Sequence, residues 1–193
     1  YNQRVWAIGK GPSAITVTAP DVGVQLGKSI LVSGMVTDAS PGTDDMFLQK
    51  RFPNGVPAVS DANMSDWMLY VYKQFAKPAD VVGVDVVVSV IDPNSNAYEV
   101  GTTTSDEDGF FKLAFEPLVP GEYTVIASFE GSEAYWSSHA KTGINVEEAP
   151  VTTPDPTPQS ASTADLYFVP GIVGIIIAIA VVGAIIVLLL RKR

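Results

Sequence analysis

The sequence predicts an all-β domain of two antiparallel sheets packed face to face, followed by one membrane-spanning helix. Three observations carry that prediction. Apolar and polar residues alternate with period two in short runs across residues 13–146, the mark of half-buried strands. The runs are separated by turns rich in Gly, Pro, Asp and Asn. Residues 166–190 then hold no charged side chain, and Arg191-Lys192-Arg193 follow at once. A chain of 193 residues is long enough for one ordinary domain with such additions.

The strands can be taken in order. Residues 14–19 set Ile15 and Val17 against Thr16 and Thr18, and residues 29–37 align Ile30, Val32, Gly34 and Val36. Residues 83–91 place Val84, Val86, Val88 and Val90 opposite Asp85, Val87, Ser89 and Ile91. Apolar on much of both faces, this run reads as a central strand. Asp92-Pro93-Asn94-Ser95-Asn96 turns the chain, and residues 98–104 return with Tyr98, Val100, Thr102 and Thr104 aligned. Asp106-Glu107-Asp108-Gly109 makes the next turn and delivers Phe111, Leu113 and Phe115 inward. Pro120-Gly121 precedes a strand lined by Tyr123, Val125, Ala127 and Phe129, and residues 140–146 close the set with Ile144 and Val146. Seven short strands with such turns specify a two-sheet sandwich. A closed barrel is the competing architecture, and an α/β fold is excluded because no helix alternates with the strands.

Residues 38–80 are too many for an ordinary connection. The stretches 38–45 and 52–57 read as turns, after which the period changes. Met64, Trp67, Met68, Val71, Tyr72 and Phe75 recur at helical spacing on one face, predicting a helix over 62–76 that Pro78 closes. Asp61 and Asp66 come early and Lys73 and Lys77 late, the order a helix dipole favours. Packing of this stripe on the sandwich is the simpler expectation. Docking of a neighbouring domain or subunit through Trp67, Met68 and Tyr72 is the sharper one. Asn63-Met64-Ser65 is the N-glycosylation sequon of the chain, and Asn63 is its acceptor.

Val84-x-Val86-x-Val88-x-Val90, Thr102-x-Thr104-x-x-Glu107-x-Gly109-x-Phe111 and Pro120-Gly121-x-Tyr123-x-Val125-x-Ala127-x-Phe129-x-Gly131 resemble the second half of bacterial and archaeal immunoglobulin-like domains. The resemblance covers about residues 13–148 and implies an immunoglobulin-like sandwich used as a spacer or adhesion unit of a cell-surface protein. The insertion at 38–80 departs from the plain module. Residues 1–11, with Val5-Trp6-Ala7-Ile8-Gly9, are similar to the closing strand of a pyrroloquinoline-quinone-type β-propeller blade. That implies an upstream propeller, and no cofactor-binding residue of such a propeller maps onto this chain.

Residues 166–190 would span about 37 Å as a helix, against a hydrocarbon core of about 30 Å. Pro170 suits an early helical position, and Tyr167 an interfacial one. The basic stub 191–193 marks the cytoplasmic side, and the acidic flank before the helix (Glu147, Glu148, Asp155, Asp165) the outside. With no ionisable residue inside, the helix reads as an anchor rather than a transport path. Gly171 and Gly174 are spaced by three, not the four of a close-packing stripe. Residues 149–165, with Pro150, Pro154, Pro156 and Pro158 among Thr and Ser, read as an extended stalk of about 30–50 Å.

Chemistry is harder to find. The chain has no Cys and one His, which excludes disulfides, thiolate catalysis and multi-His metal sites. Twelve Lys and Arg against 21 Asp and Glu give a net charge of −9, and three of the basic residues are the terminal stub. So acidic a domain excludes nucleic acid as a partner. His139 sits beside Ser137 and Ser138, but adjacent residues cannot supply triad geometry. The carboxylates Asp106, Glu107 and Asp108 invite calcium yet lack the spacing of an EF-hand loop, and a hairpin turn explains them. Tyr135-Trp136 is an aromatic pair suited to glycan or protein contact.

No enzymatic activity, cofactor or metal is therefore expected of this chain. Its expected work is structural: a membrane-proximal presentation module at the plasma membrane, single-pass, with its N-terminal domain outside. Its partners would be the bilayer through 166–190, and an upstream propeller or neighbouring surface subunits. The start at Tyr1 without a leader is expected of the C-terminal part of a longer protein or of a processed form, and the anchor's Ile/Val/Gly composition and the propeller resemblance suggest an archaeal surface protein. Two other readings compete, the non-catalytic tail of a membrane-anchored propeller oxidoreductase and an adhesion module using the insertion and Tyr135-Trp136.

Overall fold

The computed structural model describes residues 9–149 and 163–191. Residues 1–8 of the segment assigned to an upstream strand and nearly all of the stalk lie outside the described residues. Two compact units separate at Pro150 and Val151: a β-rich domain and a helix.

Nine strands form the domain among the described residues: β1 (Ser13–Thr18), β2 (Val24–Gln25), β3 (Ile30–Asp38), β4 (Val56–Pro57), β5 (Asp85–Ile91), β6 (Ala97–Thr104), β7 (Phe110–Phe115), β8 (Gly121–Phe129) and β9 (Ser138–Glu147). In the first sheet β3 pairs antiparallel with β1, with β7 and, over Thr37 and Asp38, with β4. The second sheet runs β2-β9-β8-β5-β6, antiparallel except that β2 lies parallel to β9. All seven strands read from alternation are present. The two-residue strands β2 and β4 are too short to show a period, and neither was expected.

Both sheets contribute to one apolar core. Ile30, Val32, Val36 and Phe111 come from the first, and Val86, Val88, Val90 and Val125 from the second. These are the inward rows that alternation marked. Gly34 completes the β3 row because a Cβ there would run into the Thr16 carbonyl and the Phe111 ring. Tyr123, fully buried near the start of β8, ties down the preceding turn. Its hydroxyl accepts from the N–H groups of Leu118 (3.2 Å) and Val119 (3.0 Å) and donates to the Val119 carbonyl (3.0 Å).

The all-β expectation needs correction, because the insertion contains two α-helices, α1 (Met46–Arg51) and α2 (Met64–Lys73). Helix α1 arises between the two stretches, 38–45 and 52–57, that the sequence marks as turns, where no element was expected. The Asp45 carboxylate caps it by accepting the Phe47 N–H at 2.8 Å, and Lys50 and Arg51 lie in its last turn, so acid and base complement the dipole at opposite ends. Six residues are too few to reveal a helical period. Helix α2 is shorter than the 62–76 expected. It ends where Gln74 turns left-handed (φ 58°), a conformation that stops the ladder. Trp67 and Val71 of α2 pack with Leu48, Val56 and Val59 in a second small core, and Met64 touches both cores.

The second unit is α3 (Thr163–Arg191). Within Tyr167–Arg191 an 18-residue stretch reaches a mean hydropathy of 3.4, and none of that stretch is buried. Because α3 begins earlier than 166, Pro170 lies inside the helix rather than at its first turn and removes one backbone hydrogen bond there.

Candidate functional site

The insertion meets the sandwich by one edge of the predicted stripe. Trp67 is 1% exposed, with its ring 5.3 Å from Tyr70 and 6.0 Å from Phe52. It therefore offers no surface to a partner, contrary to its place among the expected contact residues. Met68, Tyr72 and Phe75 rotate outward instead and are exposed. Trp67 and Val71 are buried against Leu48, Val56 and Val59 in the small second core and Met64 is half-buried between the two cores, while the rest of the stripe faces solvent. Arg51 closes the other side of α2. Its guanidinium lies 3.8 Å from the Tyr70 ring centroid and donates to the Tyr70 carbonyl at 2.9 Å, a cation placed against the carbonyl end of a helix. Phe47 and Met46 of α1 are among the most exposed apolar side chains of the domain. An open groove of about 470 Å³ runs between Phe47, Arg51 and Tyr72. Burial pushes the Tyr72 phenol above its ordinary pKa, and the nearby Asp38 carboxylate acts in the same direction.

A second constellation joins the insertion to the β8–β9 connection. The Asp61 carboxylate accepts from the Ser132 hydroxyl (2.8 Å) and from the N–H groups of Glu133 (2.9 Å) and Ala134 (3.0 Å). Partial desolvation pushes its pKa up. The bonds from Glu133, Ser132 and Ala134, with Lys10 nearby, outweigh that and hold the carboxyl below the usual range. Tyr135 follows, 3% exposed and edge-on to Phe129, and burial drives its phenol far above the ordinary value. Like Trp67, it belongs to the core and not to a contact surface. Strict alternation breaks in this connection, so which of two adjacent aromatics turns inward was not readable from sequence. Trp136 is the one that faces out, 61% exposed, with the Lys10 ammonium 5.6 Å from its ring centroid. Its N–H donates to the Gly11 carbonyl, and the Gly11 N–H to the Ala134 carbonyl, both at 2.8 Å. Gly11, grouped by sequence with the upstream segment, is thus hydrogen-bonded into this domain.

Asn63 has a structural task. Its Oδ1 accepts from the Ser60 hydroxyl (2.8 Å) and the Val82 N–H (3.0 Å), and its Nδ2 donates to the Asp80 carbonyl (3.0 Å). The nitrogen that would carry a glycan is the one that fixes the returning chain. In the acidic turn the Asp106 Oδ1 accepts the N–H groups of Asp108 (3.0 Å) and Phe110 (2.9 Å), while Glu107 pairs with Lys77 at 2.9 Å. That hydrogen bond to Glu107 raises the Lys77 ammonium pKa. Among the described residues no three His, Asp or Glu side chains gather as a metal site. His139 is exposed on β9 opposite Ser128. A depression of about 690 Å³ lies against β1, β3 and β7. Thr16, Thr18, Ser33, Thr37, Phe110 and Lys112 line it, and its one carboxylate is the already engaged Asp106.

No protein-family model matches the chain, and no curated protein matches it.

Proposed function

We propose that the chain is a single-pass, membrane-tethered structural module in which an immunoglobulin-like sandwich presents surface outside the cell and α3 holds it to the bilayer. The observation that carries this is α3 itself: the 25 residues Tyr167–Arg191 contain an 18-residue stretch of mean hydropathy 3.4 with no side chain buried by protein. Such a surface is stable in hydrocarbon and a liability in water. The terminal Arg-Lys-Arg sets the orientation, C-terminus inside. Support for the immunoglobulin-like reading comes from the strand grouping β1-β3-β7 against β9-β8-β5-β6 and from β2 running parallel to β9. The Tyr123 hydroxyl bonded to backbone four residues upstream adds the corner that this class of sandwich uses. The carboxylates of Asp61, Asp92 and Asp106 engage turn and loop amides, which fits a scaffold better than a reaction centre.

The test compares the full chain with a version ending at residue 165. The full chain should stay with membranes through high-salt and carbonate washing, and external protease should reach the sandwich but not the C-terminus. A truncated form equally resistant to washing would refute the tether. A second reading, contact with a glycan or protein, is favoured by Trp136 alone, exposed and flanked by Lys10. Loss of surface-polysaccharide binding on Trp136→Ala, with an unchanged melting temperature, would support it.

A further inference from the structure

The outer face of the larger sheet carries a charge pattern that neither the core nor the tether uses. Strand pairing aligns Glu99 of β6, Ser89 of β5, Ile126 of β8 and Lys141 of β9 in one row across the sheet. Glu99 and Lys141 are both exposed, and the centre of the row is half-buried. Three strand spacings separate the two charges, about 14 Å, so they cannot pair within one chain. Among the described residues the one ion pair is Lys77–Glu107. Rows on either side centre on Val87 and Ile91, which with Ile126 form an apolar strip along β5 and β8. Toward the β9 edge the surface is lowered by Gly143, which lies opposite Thr124.

We propose that this face pairs two copies of the chain about a two-fold axis lying between β5 and β8 and parallel to the strands. That operation exchanges β6 with β9 and β5 with β8 while keeping each row level. Glu99 then meets Lys141 of the second copy, twice, and Ser89 meets Ile126. A two-fold across the strands would instead set Glu99 on Glu99, so the charges select one orientation. The selected orientation leaves both copies' Glu147 at the same end, as two chains anchored in one bilayer require. Asp85 and Glu130 stand against the pairing, because the same axis brings them toward their acidic counterparts. The face is also only about 14 Å by 20 Å, well below the roughly 800 Å² per partner of a standard interface. Association is therefore weak in free solution and becomes populated where tethering raises the effective concentration.

The absence of native Cys makes the test direct. The full chain is placed in vesicles, its membrane association is checked by flotation, and a mild thiol oxidant is added. Glu99→Cys with Lys141→Cys in one chain should give a disulfide-linked dimer, since the two positions are too far apart to bridge within a monomer. Either substitution alone should stay monomeric, and a mixture of the two single variants should cross-link. In the chain without cysteines, Glu99→Lys should weaken association about tenfold, reckoned from two exposed pairs turned repulsive, and adding Lys141→Glu should restore it. Single variants that cross-link as readily as the pair, or a double variant that stays monomeric while bound to vesicles, would overturn the proposal.

Discussion

Replacing Trp67 by alanine tests whether the insertion stands on a core of its own. The ring is 1% exposed and packs among Leu48, Val56, Val59 and Val71. A side chain of this size buries on the order of 200 Å², which at about 25 cal/mol per Å² is worth about 5 kcal/mol. Cavity-forming truncations of this kind cost about 3–5 kcal/mol, so about 4 kcal/mol is expected. The loss should fall on α1 and α2, because the sandwich core is built from other residues and shares only Met64 with this cluster. Trp67→Phe discriminates further. Among the described residues the buried Trp67 Nε1 has no hydrogen-bond partner, and a desolvated donor left unpaired costs about 1–3 kcal/mol. Phenylalanine removes that donor while keeping most of the ring contact, so it should lie within about 1 kcal/mol of the native protein. Hydrogen exchange read by mass spectrometry would follow residues 46–73 and the strands separately. Equal loss of protection in β3, β5 and β8 would refute a separate core. A phenylalanine variant as unstable as the alanine one would refute the account of the donor.

Three other outcomes follow from the same geometry. Tyr123→Phe strips the corner of its hydroxyl, leaves two backbone N–H groups unpaired and should cost about 2 kcal/mol in urea unfolding. Asp61→Ala should cost about 1 kcal/mol at neutral pH, a modest value because the carboxylate is largely solvated. Its folded pKa is depressed, so the stabilisation is full above the unfolded value of about 3.9 and fades as pH falls through the folded one. The urea midpoints of variant and native protein should therefore differ at pH 7 and converge near pH 2. Gly34→Ala drives a Cβ into the Thr16 carbonyl and the Phe111 ring. It should lower the melting temperature by several degrees through strain at the centre of the first sheet, whereas alanine at Gly101, which meets only the Leu113 methyls at 3.8–3.9 Å, should not.

Much of the fold was legible because burial in a strand has period two and the core needs it. Val84 to Val90 and Tyr123 to Phe129 carry that signal without interruption, and the structure buries those rows. The insertion was legible only in part. Its helix α2 announces a stripe, but the stripe says which residues are apolar, not which of them the small core with α1 reaches, so Met68 and Tyr72 face solvent while Trp67 does not. Helix α1 is one capped turn and a half, shorter than any period, and its cap residue Asp45 looks like any turn aspartate. Asn63 matched a glycosylation sequon by its neighbours in sequence. Its partners Asp80 and Val82 lie across a loop closure that no local pattern displays.

The sequence by itself determined the alternating rows, the turns between them and an uncharged helix of membrane length, because each depends on neighbours a few residues away. Only the tertiary structure decided that Asp61 clamps a loop more than seventy residues later, that Tyr135 turns in while Trp136 turns out, and that Glu99 and Lys141 share a row. Those depend on strand register and loop closure, which couple residues far apart in the chain through contacts that no local periodicity encodes.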